Sequence, residues 1–291
     1  SWSWSNSNLT NASVDGKYYI WVDAKDKAGN IQNSFAVPAS SRPYYFDKAA
    51  PRISVLSPVH DVLPYNPSSI NAAKISGTAA DCPGSPGCTE VNKSSAGLLS
   101  NGIDIQLYFY KASENATYYW ENTAWEKTYI ATMTSDGSSW ELAPGKMPSE
   151  ADWKAHGDQY FKVKARAKDS ARKSDGSVYS NVSGWTSETR FIVDGTPPVS
   201  SVTVPSLFYV KSLPLIEGTA ESSLAGLATT YVRITRLDNS DAEIQDWDPL
   251  TGWKSLPGEV WSTGTVISDT QWSFNRYQSD TFANDNRYQV C

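Results

Sequence analysis

Apolar and polar residues alternate along many short stretches of the chain, most clearly from residue 102 to residue 110. Four apolar residues alternate there with four more polar ones, and one buried face with one solvated face is typical of an antiparallel sheet. The predicted inward residues are Ile103, Ile105, Leu107 and Phe109, and the predicted outward residues are Asp104, Gln106, Tyr108 and Tyr110.

A second alternating stretch, residues 160–169, predicts a strand whose apolar residues share one face. Only residues 149–157 have a helical pattern, with Ser149 as the capping residue. Many short strands separated by Gly, Pro and Asn turns predict an all-β chain folded as sandwiches. The shared face of the second stretch comprises Phe161, Val163, Ala165 and Ala167.

A short joint between strands occurs twice. Asp47 and Pro51 follow one predicted strand as Asp194 and Pro198 follow another, at one common spacing. Proline has no amide donor and a fixed φ, so a strand ladder cannot run through either joint. Two copies of a joint predict a tandem array of repeats.

Other residues also match between the predicted repeats, and these matches set the boundaries of the repeats. Residues 1–48 are predicted to be the closing strands of one repeat, residues 49–194 a complete repeat, and residues 195–291 the opening part of another. We therefore expect the sequence to be an excerpt of a longer protein. The matched residues are Gly77 with Gly218, Trp120 with Trp247, and Trp125 with Trp253.

These motifs resemble a known family. The series D-x-x-P-P-x-x-S, I-x-G-T-A, Y-W-x-x-x-x-W and A-x-D-x-A-G-N is similar to the bacterial immunoglobulin-like (Big-type) repeats of large secreted surface proteins. The middle repeat departs from it, with AKDSARKSDG in place of the last motif. The resemblance implies tandem immunoglobulin-like β-sandwiches in adhesins, fibres, sheaths or spacers, and it supplies no common catalytic residues.

The net charge and the absence of catalytic motifs exclude several classes of function. The net charge of −6 argues against nucleic acid, whose phosphates require a basic face. The two histidines lie outside any hydrolase, metalloprotease or phosphate-loop motif, which predicts a protein that is not an enzyme. No apolar window is long enough to span a membrane.

Cysteine spacing and sequons fit an extracellular location at the cell surface. Cys82 and Cys88 close a turn-rich loop that favours a local disulfide, whereas Cys291 has no evident partner. Sequons predict candidate glycosylation sites in such a location. They begin at Asn8, Asn11, Asn92, Asn115 and Asn181.

One group of oxygen-bearing side chains predicts a metal site. Asp23, Asp26 and Asn30 follow a predicted strand near the joint residue Asp47, and hard oxygen ligands at a joint are suited to Ca²⁺. The alternative is that they form turns and solvate them. The comparable residues near Asp194 are Asp169 and Asp175.

Aromatic residues raise a second binding hypothesis. Trp120 and Trp125 could stack on sugars, together with other aromatic residues of the predicted strands. The alternative is that these rings cover a sheet face or contact a neighbouring domain. The other rings are Tyr19, Trp21, Tyr108 and Tyr110.

Two functions follow. The first is a non-enzymatic extracellular protein that forms a stalk, sheath or filament with adhesion as an outcome. Its partners are neighbouring repeats or copies of itself, and head-to-tail strand addition is one route to assembly. The alternative is a carbohydrate-binding accessory region of a large secreted enzyme, with surface polysaccharide as the partner. Apart from Ca²⁺, no cofactor is expected.

Overall fold

The computed structural model describes residues 16–35, 40–62, 64–81, 95–129, 133–157, 159–172, 176–177, 180–207, 209–222, 224–255, 259–268, 270–277, 282–283 and 286–291. Within these ranges the chain is all-β, with short helices only in its first part. The chain divides into two compact units, the first unit (Ser1–Val193) and the second unit (Asp194–Cys291). The division lies within the proline-containing joint.

The strands of the first unit are β1 (Gly16–Trp21), β2 (Ser41–Phe46), β3 (Arg52–Ser57), β4 (Ser76–Ala80), β5 (Leu98–Lys111), β6 (Ala116–Trp120), β7 (Trp125–Glu126), β8 (Met133–Ser135), β9 (Ser139–Glu141), β10 (Gln159–Asp169) and β11 (Thr189–Val193). Its helices are α1 (Pro67–Ala73) and α2 (Glu150–Ala155), and 3-10 turns cover Ala112–Glu114 and Pro144–Lys146. The strands of the second unit are β12 (Val199–Val204), β13 (Ile216–Glu221), β14 (Tyr231–Val232), β15 (Ile234–Leu237), β16 (Glu243–Asp248), β17 (Gly252–Ser255), β18 (Ser262–Thr263), β19 (Thr265–Ser268), β20 (Gln271–Phe274) and β21 (Arg287–Val290).

The first unit is organised around two sheets. One has the strand order β3-β4-β9, and the other has the order β11-β10-β5-β6-β7 with β8 also paired to β5. Apolar residues of both sheets belong to one buried core. The strands β1 and β2 pair separately as an antiparallel ribbon. The largest fully buried side chains of the core include Trp140, Trp153, Phe109, Phe161 and Phe191.

The alternation of β5 and β10 is confirmed on its inward side. Every predicted inward residue of both strands is at most 1% exposed. The outward side differs at two residues, Asp104, which is only 1% exposed, and Tyr108, which is 9% exposed. The Tyr108 hydroxyl donates to Glu188, and Lys164 lies over the Tyr108 ring. Arg166 Nε donates to Asp104 Oδ2 at 2.8 Å and Lys168 Nζ donates to Asp104 Oδ1 at 3.0 Å. Two long basic side chains therefore cover a carboxylate that the pattern alone places in water.

Both helices begin with a side-chain cap. Ser149 accepts a bond from Asp152 N at 3.2 Å, and Asp152 Oδ2 accepts from Ser149 N at 2.9 Å, so the predicted cap of α2 is confirmed as a capping box. The helix α1 was not predicted. Asn66 caps it by accepting from Ser69 N at 2.8 Å, and proline occupies its first turn.

The second unit repeats this plan with fewer residues. Its sheets have the orders β12-β13-β20-β19 and β17-β16-β15-β21, and β14 pairs with β18. Alternate residues of β13 and β20 point into its core. The buried apolar residues are Ile216, Ala220, Val232, Ile234, Trp272 and Phe274.

A tryptophan packs against a glycine on the neighbouring strand in each unit. Gly77 of β4 is the cross-strand partner of Trp140, and Gly218 of β13 is the partner of Trp272. A Cβ atom at Gly77 would lie 2.5 Å from the Trp140 ring, and one at Gly218 would lie 2.3 Å from the Trp272 ring. Only glycine leaves room for the indole at these two positions.

Other details recur at matched positions. The hydroxyls of Ser54 and Thr78 lie 2.8 Å apart, and those of Ser201 and Thr219 lie 2.7 Å apart. The tryptophans of each sequence motif are cross-strand partners, since β6 pairs with β7 in the first unit as β16 pairs with β17 in the second. The two units thus share pairing register as well as motif order. The tryptophan pairs are Trp120 with Trp125 and Trp247 with Trp253.

Replacing Gly77 by alanine should destabilise the first unit strongly. The new Cβ would lie 1.9 Å from the carbonyl oxygen of Ser54, and backbone at that distance has to move. We expect a loss of about 3 kcal/mol in the free energy of unfolding, measured by chemical denaturation. Gly145→Ala is the matched control, because a Cβ there meets open space. Equal stability of the two variants would contradict this account of the contact.

His156 follows α2 and lies among the rings of the first unit's core. Its ring centroid is 5.1 Å from that of Phe109, 6.1 Å from Tyr118 and 6.0 Å from Trp125. Desolvation by these neighbours, with a smaller effect of Lys111, lowers the pKa of His156 below its ordinary 6.5. The folded chain therefore favours the neutral imidazole.

The position of His156 predicts that stability falls on mild acidification. The unfolded chain binds a proton near the ordinary pKa and the folded chain resists it, so stability present above 6.5 is lost as the pH drops through that value. We expect the free energy of unfolding to decrease between about pH 7.5 and pH 5.5, and His156→Gln to reduce that decrease. His60→Gln leaves His156 in place and should retain it.

Candidate functional site

Three carboxylates meet at one end of the first unit. Asp47 follows β2, Asp81 follows β4 and Asp169 ends β10. One oxygen atom from each residue lies within 4.8 Å of the other two. Asp169 is fully buried, and the other two are partly buried. We call this group the acidic joint.

Asn181 fixes the carboxylate of Asp169. The Asn181 backbone N–H donates to Asp169 Oδ1 at 2.7 Å, and its side-chain amide donates to Oδ2 at 2.6 Å. Ala171 N adds a third bond to Oδ1 at 3.0 Å. These three bonds hold the Asp169 carboxylate in one orientation at the end of β10.

Asp47 connects the end of β2 to the body of the first unit. Its Oδ2 atom accepts a bond from Ala96 N at 2.6 Å, and its carbonyl oxygen accepts from the Asn181 side-chain amide at 3.2 Å. Asp194 makes the corresponding contact in the second unit, where Oδ2 accepts from Ala225 N at 3.0 Å. The aspartate of each joint therefore holds a loop, the loop after β4 in the first unit and the loop after β13 in the second.

The chemistry of the acidic joint suits a hard cation. Three carboxylates at this separation repel one another, and partial burial weakens the screening by water. Carboxylate and carbonyl oxygens are the ligands that Ca²⁺ takes, in flexible geometry. Asp47, Asp81 and Asp169 are the residues that could hold such an ion.

The sequence-predicted metal residues form only part of a matching arrangement. Asp26 accepts bonds from Asn30 N at 2.8 Å and from the Asn30 side-chain amide at 2.7 Å, which reproduces the contact of Asp169 with Asn181. The side-chain bond from Asn30 is the main cause that lowers the pKa of Asp26. Asp23 is exposed and takes no part in these bonds. Asp26 and Asn30 thus occupy, in the β1–β2 ribbon, the repeat position that Asp169 and Asn181 occupy in the first unit.

The acidic joint differs from the sequence prediction in membership. The structure places Asp169 with Asp47 and Asp81, whereas Asp175 lies outside the described residues. Asp81 was missed because a lone aspartate after a strand also fits a turn. Its signal was position, since it directly follows β4 as Asp47 directly follows β2.

The predicted cysteine and glycosylation sites lie partly outside the described residues. Cys82 and Cys88 lie outside the described residues, as do Asn8, Asn11 and Asn92. Cys291 is an exposed free cysteine. Asn115 is exposed and accepts a bond from the Tyr110 hydroxyl at 2.6 Å. The Asn181 amide nitrogen is partly buried and bonded to Asp47 and Asp169, so a glycan there would break these contacts.

The tryptophans proposed to stack on sugars belong to the core. Trp120 is 3% exposed and its ring nitrogen donates to Lys146 O at 2.8 Å. Trp125 is partly buried, and its ring centroid lies 5.2 Å from that of Trp120 and 5.4 Å from that of Phe161. Trp120 is thus part of the buried core, and Trp125 packs against it.

Comparison with models of known protein families, with curated proteins and with solved structures finds no match to this chain. Neither described helix is long and apolar enough to cross a lipid bilayer.

Calcium should stabilise the folded chain through the acidic joint. Binding to the folded state alone adds about 2 kcal/mol or more once Ca²⁺ is well above its dissociation constant. We expect Ca²⁺ to raise the melting temperature of the wild-type chain, and Asp81→Asn to lose most of that rise. Without Ca²⁺, Asp81→Asn should be at least as stable as wild type, because one repelling charge has been removed.

Asp23→Asn is the control, because it removes an exposed carboxylate outside the acidic joint. It should keep the full response to Ca²⁺ in calorimetry with and without chelator. Identical responses of wild type and Asp81→Asn would exclude Ca²⁺ from the acidic joint.

Proposed function

We propose that this chain is part of a non-enzymatic, extracellular array of immunoglobulin-like sandwiches that serves as a stalk, sheath or filament. The repeated joint carries the proposal. In both copies, the aspartate at the end of one predicted repeat accepts a bond from a loop N–H of the next predicted repeat, Asp47 from Ala96 and Asp194 from Ala225. We propose that this bond couples successive repeats.

Repetition of internal geometry supports the array. The tryptophan–glycine contact, the paired hydroxyls and the cross-strand tryptophans recur in both units. Units of this kind, placed end to end, give a protein whose length grows with repeat number. That property suits a spacer or fibre, and Ca²⁺ at the acidic joint would stiffen it.

The β1–β2 ribbon supports assembly through strand complementation. The β1–β2 ribbon and the β10–β11 pair each end immediately before a joint aspartate, and matching the registers from that end places Tyr18 with Phe161 and Ile20 with Val163. Phe161 and Val163 are fully buried, whereas Ile20 is 47% exposed. We propose that a neighbouring repeat or a second copy covers this face, head to tail.

The surroundings of the histidines support a structural role. His60 Nδ1 accepts a bond from Arg190 N at 2.9 Å, close to the ion pair of Arg190 with Asp61. His156 lies among aromatic rings. Each histidine thus contributes to packing or to a loop contact, and we assign neither a reaction.

Loss of the joint bond should loosen the array without unfolding a unit. We expect Asp194→Ala to cost about 1–2 kcal/mol locally and to broaden the distribution of molecular dimensions in small-angle X-ray scattering. Asp238→Ala is the matched control, because Asp238 makes comparable bonds inside the β15–β16 turn, to Ser240 N and Ala242 N. Scattering that is the same for wild type and Asp194→Ala would contradict a role of this bond in coupling the repeats.

A further inference from the structure

A row of cations lines the outer face of β10. Successive residues of a strand point to opposite sides, so the four residues that alternate with the buried residues from Phe161 to Asp169 face outward. All four of these outward residues are basic, in a chain of net charge −6. We call them, with the neighbouring Trp185, the basic face. The basic residues are Lys162, Lys164, Arg166 and Lys168.

The carboxylates that pair with these cations leave the positive groups accessible to solvent. Asp104 lies beneath Arg166 and Lys168 with its side chain 1% exposed, whereas those two side chains are 34% and 31% exposed. Lys162 pairs with Glu188 at 2.7 Å, and the bond from Lys162 is the main cause that lowers the pKa of Glu188. Within the described part of the chain, Lys164 has no carboxylate oxygen within 4 Å.

Aromatic rings stand between these cations. Lys164 Nζ lies 5.2 Å from the ring centroid of Trp185, and the Arg166 guanidinium lies 4.6 Å from it. Lys164 Nζ is also 5.6 Å from the ring of Tyr108. At the end of the row, Arg190 packs 4.6 Å from the ring of Tyr160, which is 46% exposed. The surface thus alternates positive charge with flat apolar rings.

We propose that the basic face binds an extended, carboxylate-bearing polysaccharide along β10. Alternate residues of a strand are spaced by about 7 Å, so the cations form a linear series that a repeating polyanion can follow. The rings offer apolar surface to the sugar faces, and the ammonium and guanidinium groups pair with carboxylates. The excess of positive charge is small, which suits a polymer of lower charge density than nucleic acid.

The second unit offers an internal comparison. Strand register matches Gln106 with Arg233 and Tyr108 with Thr235, on the same outer side. There the side is closed over, because Asp246 and Thr235 are fully buried and Asp246 Oδ2 accepts a bond from Val260 N at 3.1 Å. The polymer site is therefore a property of the first unit rather than of the shared fold.

Binding to polygalacturonate tests the proposal, with dextran as the neutral polymer and single-stranded DNA as the other polyanion. We expect the full chain to bind polygalacturonate at low ionic strength, to lose it at high ionic strength, and to ignore dextran. The double variant Lys162→Gln/Lys164→Gln should bind roughly five- to tenfold more weakly. Lys162→Arg/Lys164→Arg should retain binding, because it keeps both charges.

The matched control is Lys154→Gln/Lys211→Gln, which removes the same charge from exposed positions elsewhere. An equal loss of binding in this control, no binding by wild type, or tighter binding to DNA than to polygalacturonate would each overturn the proposal. The site goes beyond the proposed scaffold function and does not depend on it. Scattering of Asp194→Ala reports on the joint, and the polymer assay reports on the basic face, so either can fail alone.

Discussion

The packing of an indole against a glycine on the next strand is the constraint on which both units depend. A tryptophan side chain contributes about 3–5 kcal/mol when it fills a core, and here it does so only because its partner has no Cβ. Trp140 is 1% exposed and Trp272 is 4% exposed. The contact therefore fixes how the neighbouring strand, β9 or β20, lies on β4 or β13, and with it which residues of those strands face the core.

Register then determines where the ends of the strands fall. With β3-β4-β9 fixed against the larger sheet, the residue after β4 and the last residue of β10 reach the same edge of the first unit. Asp47 arrives there from β2, and Asn181 orients Asp169 from the side. The acidic joint is therefore a consequence of three strand lengths, and shifting any one strand by a residue would remove its carboxylate from the group.

The sequence predicted what depends on periodicity and on repetition. Alternation identified the buried faces of β5 and β10, and repeated motifs matched Gly77 with Gly218, the two glycines that the structure places against Trp140 and Trp272. Sequence patterns failed for residues whose burial or neighbours depend on a strand or loop distant in the chain. The pattern places Asp104 in water, whereas Arg166 and Lys168 cover it. Asp81 lies beside Asp47 and Asp169 because the ends of β2, β4 and β10 meet there. The helix α1 could have been predicted from the sequence, because Asn66 is a capping residue and Pro67 is a proline suited to the first turn of a helix.

Comparison of the three matched strands β1, β10 and β21 separates scaffold from function. The positions matched to the buried Phe161 and Val163 of β10 hold residues of one kind, with Tyr18 and Tyr288 at the first position and Ile20 and Val290 two residues later. The outward position between them holds Tyr19, Lys162 or Gln289. Core packing restricts the first set to apolar side chains, whereas water accepts any member of the second. Strands matched in this way can present an aromatic, a basic or a neutral outer surface without altering the fold. The chemistry that distinguishes these strands from one another therefore belongs to the outer faces of the sheets.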